Sequence, residues 1–170
     1  MPPTCSVFIA TSLDGFIARP DGAIDWLERL NATVPAGEDC GYARFMESVD
    51  ALVMGRASVD KVLGFPARPC GDQPVDGLSG SMPQLPPGTP PTVTLLKGAS
   101  AAPAEVLRTA AAAGHRRLYI DGGRTIQSFL AAGLIAELTA TTVPVLLGAG
   151  IRLFGALHAD VPLGRLSSQA

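Results

Sequence analysis

Twice in this chain a short apolar run reaches glycine and passes at once into a helical pattern. Ala51-Leu52-Val53-Met54 leads through Gly55-Arg56 into a helix-spaced segment at 57–63. Arg117-Leu118-Tyr119-Ile120 leads through Asp121-Gly122-Gly123 into a second, at 125–132, which Gly133 stops. An apolar run with no polar alternation is the mark of a strand buried on both faces. A strand that feeds a helix across a tight turn needs a parallel neighbour and helices to cover the sheet. The same turns have a chemical consequence. The first turn of a helix leaves backbone N–H groups unpaired at the positive end of the helix dipole, and glycine lets an anion approach them. Neither turn has the GxGxxG of a Rossmann domain, and no GK[ST] follows to make a P-loop. A plain structural turn explains each of them equally well when taken alone.

The rest of the chain fits this alternation. Residues 6–11 read as a buried strand, Ser12–Gly15 as a turn, and Phe16–Ala18 as a further extended segment before the turn Pro20-Asp21-Gly22. Ile24, Leu27 and Leu30 have helical spacing, with Asp25 in the favoured first turn, and a second helix is expected over 42–49. Thr92–Leu96 reads as a strand. Pro103 opens a helix that runs to Ala113 and ends at Gly114. Leu138–Val143 reads as a strand, with Val145–Leu147 continuing it past Pro144. Between 66 and 91 lie eight of the fifteen prolines and four glycines, so this segment is expected to be the most mobile part of the chain, with only a weak strand near 74–79.

A chain of 170 residues, 47% hydrophobic and 16% charged, suits a single domain, 1–170, with a sizeable core. The formal net charge of −2 gives no basic surplus for a nucleic-acid backbone. No apolar run is long enough to span a membrane, and the first residues have no signal-peptide pattern. Cys5, Cys40 and Cys70 form no metal-ligand spacing, so we expect no metal and a cytoplasmic protein with reduced thiols.

The order of the motifs is more specific than any one of them. Ile9-Ala10-Thr11-Ser12-Leu13-Asp14-Gly15-Phe16-Ile17-Ala18, then Asp21-Gly22-Ala23-Ile24-Asp25-Trp26-Leu27, Val49–Arg56, Leu118–Gly123 with Gln127–Leu130, and Pro144–Phe154 together resemble the dihydrofolate-reductase-like family. Its riboflavin-biosynthesis reductases are the most similar branch. The resemblance implies a three-layer α/β/α sandwich, with a mixed, mostly parallel sheet and an antiparallel C-terminal strand. It implies NADPH as cofactor, a small-molecule substrate, a homodimer, and a mobile loop at 12–18 beside the nicotinamide. The cofactor-binding residues on this reading are Ala10, Leu13, Gly15 and Ile17 in the first strand and loop; Gly55, Arg56 and Ser58 at the first turn; Ser79; and Gly122, Gly123, Arg124, Thr125 and Ile126 at the second.

Three departures from the family pattern carry expectations. Gly64–Pro69 stands where a Trp-Pro-Tyr-like segment is usual. Gly80 replaces an arginine that helps to hold the adenosine 2′-phosphate, so discrimination between NADPH and NADH should be weak. The chain ends at Ala170, where a last strand is usual, so the sheet edge is expected to be incomplete. Val143–Leu147 and Leu153-Phe154 are the expected dimer contacts.

Asp14 and Asp25 are the candidate catalytic residues, and Asp25 and Trp26 the candidate substrate contacts. Each has a plain alternative: Asp14 as a turn residue, Asp25 as a helix cap, Trp26 as core. An arginine at a glycine turn, such as Arg56, suits phosphate. Hydride transfer needs an aligned acceptor more than a protein nucleophile. The proton donor stays open among Asp14, Asp25 and water. His115 and His158 have no triad partner, and no GxSxG surrounds Ser12, Ser58 or Ser79. Two functions follow: a reductase of a pyrimidine- or pterin-like compound, or a family member without turnover that binds a nucleotide or only dimerises.

Overall fold

The computed structural model describes residues 1–31, 34–35, 37–64, 70–80 and 84–169. Six strands form one sheet in the order β5-β4-β3-β6-β1-β7: β1 Thr4–Ser12, β3 Ala51–Gly55, β4 Val75–Ser79, β5 Val93–Lys97, β6 Arg117–Asp121 and β7 Ile135–Val143. All five pairings between neighbours are parallel. A separate ribbon pairs β2 Phe16–Ala18 antiparallel with β8 Ile151–Arg152.

The strands are buried on both faces, as their unbroken apolar runs require. On β3, Ala51 and Val53 face one side; they pack with Leu118 and Ile120 of β6 against α4 Pro103–Ala112 and α5 Gly123–Ala131. Leu52 and Met54 face the other side, against α2 Tyr42–Ser48 and α3 Arg56–Gly64. Phe8, Phe45 and Tyr119 meet there, with ring centroids 5.1 Å and 4.9 Å apart. The result is the expected three-layer sandwich. A seven-residue α1, Asp25–Asn31, follows β2. Among the described residues no helix is long and apolar enough to cross a membrane.

Three details differ from the sequence reading. The weak strand expected near 74–79 is β4, an interior strand hydrogen-bonded on both sides. Glycine is a poor strand residue, yet Gly77 fits here because a Cβ would lie 3.2 Å from Val59 Cγ2 of α3. Second, β7 ends at Val143 and is not continued by Val145–Leu147. Pro144 has no N–H for a ladder, and Val145 turns back to bond the Val143 carbonyl at 2.8 Å. Third, the antiparallel strand late in the chain does not extend the main sheet. It is β8, which returns over the start of α5 to pair with β2. That leaves β7 on the sheet edge, and residues 153–169 contain neither strand nor helix. The Gly64–Pro69 departure lies, after Gly64, outside the described residues, as does Arg68.

Candidate functional site at the carboxyl ends of the strands

In a parallel sheet, helices begin at the carboxyl ends of the strands, and ligands bind there. β3 and β6 are neighbours, so α3 and α5 start side by side. The two glycine turns interlock. A Cβ on Gly55 would lie 2.9 Å from Thr125 Oγ1, and one on Gly122 would lie 2.7 Å from Ser58 Oγ. Each turn thus accepts a hydroxyl side chain from the helix that follows the other. Gly122 also has φ 92°, which disfavours any side chain.

These contacts redistribute the roles expected from sequence. Thr125 is buried against the first turn, and the Ser58 hydroxyl bonds the Asp121 carboxylate. Both residues hold the turns together. The Ile126 side chain is fully buried in the core with Phe129, and its N–H bonds the Gly122 carbonyl at 2.8 Å. Arg56 and Arg124, by contrast, are exposed at the first turns of α3 and α5. Arg56 also meets Asp60 at 3.4 Å, a long, half-exposed pair of little energetic weight. Ser79 is buried at the end of β4, and Lys97 ends β5 directly opposite it.

Gly123 carries a different constraint. Its Cβ would lie 2.9 Å from Ile17 Cδ1 and 3.1 Å from Ile151 Cγ2. The β2–β8 ribbon rests on the amino end of α5, and Gln127 Nε2 ties it down through the Arg152 carbonyl at 2.9 Å. Ala10 is half-buried on β1, Leu13 is 63% exposed, and Gly15 turns the chain at φ 84°.

The loop expected to be mobile, 12–18, is fastened at several points. The Asp14 carboxylate accepts the Ser12 hydroxyl at 2.6 Å and the backbone N–H groups of Leu147 and Gly148 at 3.2 Å and 2.7 Å. Leu13 N–H bonds the Val145 carbonyl, and Leu153 N–H bonds the Gly15 carbonyl. The Ser12 hydroxyl, followed by the two backbone donors, draws the Asp14 pKa down to about 2. These bonds favour the ionised carboxylate, and through them Asp14 joins the two loops.

Asp25 is similarly committed. Arg19 grips it through Nε at 2.5 Å and Nη2 at 3.0 Å, and Arg29 adds a contact at 2.6 Å. The Arg19 hydrogen bonds hold the Asp25 carboxyl below the usual range. Trp26 is 5% exposed, and its buried indole N–H has no hydrogen-bond partner among the described residues. The residue that sequence reasoning missed is Asp121. It lies between the two turns, and burial pushes its carboxyl up. The sequence signal was an acid placed directly before Gly-Gly at a strand end.

This end of the sheet therefore has two adjacent helix starts, exposed guanidinium groups on both, a lysine two strands from the first turn, and one carboxyl with a raised pKa. The donor set suits an elongated, multiply charged anion such as a dinucleotide diphosphate.

Comparisons with known proteins agree with this architecture. Residues 82–169 match the RibD C-terminal domain family. The Bacillus subtilis protein YwjB is 34% identical over 161 residues, which cover 92% of this chain and 86% of its own. A crystal structure from Shewanella sp. PV-4, of a protein provisionally assigned to riboflavin biosynthesis, is 42% identical; it superposes with a TM-score of 0.86 over 98% of this chain and 91% of its own. The riboflavin biosynthesis reductase of Saccharomyces cerevisiae shares the fold at 14% identity, with a TM-score of 0.65 over 98% of this chain and 84% of its own. The chain is accordingly a member of the RibD C-terminal domain family.

Proposed function

We propose that this protein is an NADPH-dependent oxidoreductase that reduces a pyrimidine- or pterin-like substrate, in the manner of 5-amino-6-(5-phosphoribosylamino)uracil reductase. Family membership supports the reductase class. The observation that carries the dinucleotide is local: α3 and α5 open on neighbouring parallel strands, with Arg56 and Arg124 exposed at their first turns. The N–H groups at these helix starts and the two arginines would hold the phosphates. NADPH, when bound, supplies the hydride. The chain supplies alignment and shields the site from water, using the 12–18 loop that Asp14 fastens to residues 147–148. Asp14 and Asp25 stay ionised and orient their neighbours. The proton for the reduced bond then falls to water or to the Asp121 carboxyl, which burial biases toward its neutral form.

A homodimer accompanies this reading, and sedimentation at micromolar concentration tests it. Of the expected contacts, Val143 and Leu153 are core residues; among the others, Leu146, 70% exposed, and Phe154, 48% exposed, are the large apolar side chains most open to a partner.

The second reading is a nucleotide-binding family member without turnover. It draws support from the ion-paired state of Asp25 and from the ribbon that rests on Gly123. NADPH binding together with NADPH oxidation, on a panel of aminopyrimidine, pterin and dihydrofolate substrates, separates the two. Binding with turnover supports the reductase. Binding without turnover on any of them supports the second reading, and no binding removes both and leaves a family member that only dimerises.

A further inference from the structure

The two edges of the main sheet are unlike. β5 is five residues long and ends in Lys97. β7 is nine residues long, and from Leu138 to Val143 it reads Leu-Thr-Ala-Thr-Thr-Val, with no charge, proline or glycine. Proteins protect a strand edge by charges, prolines or short length, because its unpaired backbone groups offer a ladder to any other strand. Among the described residues β7 pairs with β1 alone, from Leu138 beside Val7 to Val143 beside Ser12. Its other edge is open along the whole uncharged run.

β7 is also uncovered on both faces. Thr139 lies beside Phe8 on the α2 side and Ala140 beside Ile9 on the α5 side; both are exposed, as is Thr142. Strands of a parallel sheet are normally buried on both faces, and in β1, its neighbour, no residue after Thr4 is exposed. Residues 154–169 are exposed throughout and contain neither strand nor helix. Val161 and Leu163 line a cleft with Ile135–Leu138, at the amino-terminal end of β7, and form no ladder with it.

The surface area points to a large missing contact. The chain exposes 10265 Å², whereas a compact monomer of 17.5 kDa exposes about 7,900 Å² by the usual scaling with mass. The excess is about 2,400 Å², and an obligate homodimer covers on the order of 1,000–2,500 Å² on each chain.

Charge decides which partner fits. An uncharged, threonine-rich edge has nothing to select a charged peptide, but it is complementary to itself. Set antiparallel about a two-fold axis between Ala140 and Thr141, the run Leu138–Val143 meets its own copy over its full length. Thr139 then stands opposite Thr142, a favourable kind of cross-strand pair, and Ala140 opposite Thr141. Glu137 falls opposite Pro144, so no like charges meet, and Pro144, which has no N–H, ends the ladder.

We propose that two copies of this chain join edge to edge through β7, antiparallel over Leu138–Val143, so that two six-stranded sheets become one of twelve strands. The seam lies on β7, with Leu146 and Phe154 outside the ladder. Strand pairing needs no cofactor, so the proposal is independent of the reductase reading.

Sedimentation equilibrium, with hydrogen exchange at the same concentrations, tests it. At micromolar concentration the wild type should sediment at twice the chain mass, and exchange over 138–143 should be slow. Thr139→Lys with Thr142→Lys places a lysine opposite a lysine at each of these pairs. Both threonines are exposed in the single chain, so this variant should keep its circular dichroism spectrum. Its dimer dissociation constant should rise about a hundredfold or more, with faster exchange over 138–143. Thr139→Lys with Thr142→Glu makes each pair opposite in charge and should dimerise like the wild type, which keeps the test decisive should the lysine variant not fold. Thr94→Lys, exposed on the β5 edge, should leave the dimer intact. A monomeric wild type overturns the proposal, and slow exchange over 138–143 in that monomer would assign the edge to the chain's own residues 154–169. A dimer that survives both lysines, one that Thr94→Lys breaks, or a monomeric lysine–glutamate variant also overturns it.

Discussion

The carboxylate of Asp14 accepts the backbone N–H of Gly148 at 2.7 Å, across 134 residues of sequence. This bond and its neighbours turn two loops into one unit. The β2–β8 ribbon grows from that unit and lies on the amino end of α5. The position of the candidate cofactor site therefore depends on an acid that looked, in sequence, like either a turn residue or a catalyst.

Asp14→Asn should loosen this unit, because the amide loses one of the oxygens that now accept three donors. The pH dependence has a definite sign. The folded pKa, about 2, lies below the ordinary carboxyl value of 3.8. The stabilisation is therefore complete above pH 4 and is lost as pH falls from about 4 toward 2. Thermal melts should show a lower melting temperature for Asp14→Asn at pH 7, and a wild-type advantage that shrinks through that acid window. An advantage that stayed constant down to pH 2 would contradict the assignment.

The interlocked turns make a prediction about coupling. Gly122→Ala places a methyl 2.7 Å from Ser58 Oγ at a residue with φ 92°. It should destabilise by ~1–3 kcal/mol, from strain and clash together. Ser58→Ala removes the clash and leaves the strain. In a double-mutant cycle by chemical denaturation, the pair should show a favourable coupling of about 1 kcal/mol. Strict additivity would mean that the two turns do not touch in solution.

Much of the fold could be read from the chain because each strand–glycine–helix unit is local. Ala51–Gly55 and Arg117–Asp121 fall where their apolar runs placed them, and the helices end at the glycines that stop them. What could not be read depends on contacts distant in sequence. The strand near 74–79 reads as weak in sequence because Val59, which needs the small surface of Gly77, lies on another element. Ile126 looked like a cofactor contact because it follows the second turn, but a helix turns its next face into the core. The fixed state of Asp14 and the Arg19 grip on Asp25 both depend on loop geometry that no local pattern encodes.

Hydrogen exchange should divide the proline-rich stretch, which the sequence reads as the most mobile part of the chain with only a weak strand near 74–79. Amides of Val75–Ser79 lie in an interior strand and should exchange slowly. Amides of residues 84–92, which form turns and bends, should exchange quickly. Fast exchange throughout 75–79 would contradict the placement of β4 between β3 and β5.

Cofactor preference turns on what replaces the missing arginine at Gly80. Lys97 ends β5 opposite Ser79, one strand away, and Arg56 flanks the same gap from β3. Two cations beside a 2′-phosphate should favour NADPH over NADH by roughly tenfold or more, or about 1.4 kcal/mol. This is a stronger preference than Gly80 alone suggests. Lys97→Gln should reduce the ratio by weakening NADPH and sparing NADH. Equal loss for both dinucleotides would remove Lys97 from this role.

On the proposed function, the paired helix starts hold the phosphates of a dinucleotide. Substitution of Gly123 is a poor test, since a side chain there displaces Ile17 and Ile151 and disturbs fold and site together. Arg56→Gln with Arg124→Gln is better, because both side chains are exposed and outside the core. The direct measurement is an NADPH fluorescence titration of the wild type and of this double variant, with melting temperatures taken on the same samples. We expect saturable binding to the wild type, at least tenfold weaker binding to the variant, and melting temperatures that agree without ligand. Undiminished NADPH affinity in a folded double variant would contradict it.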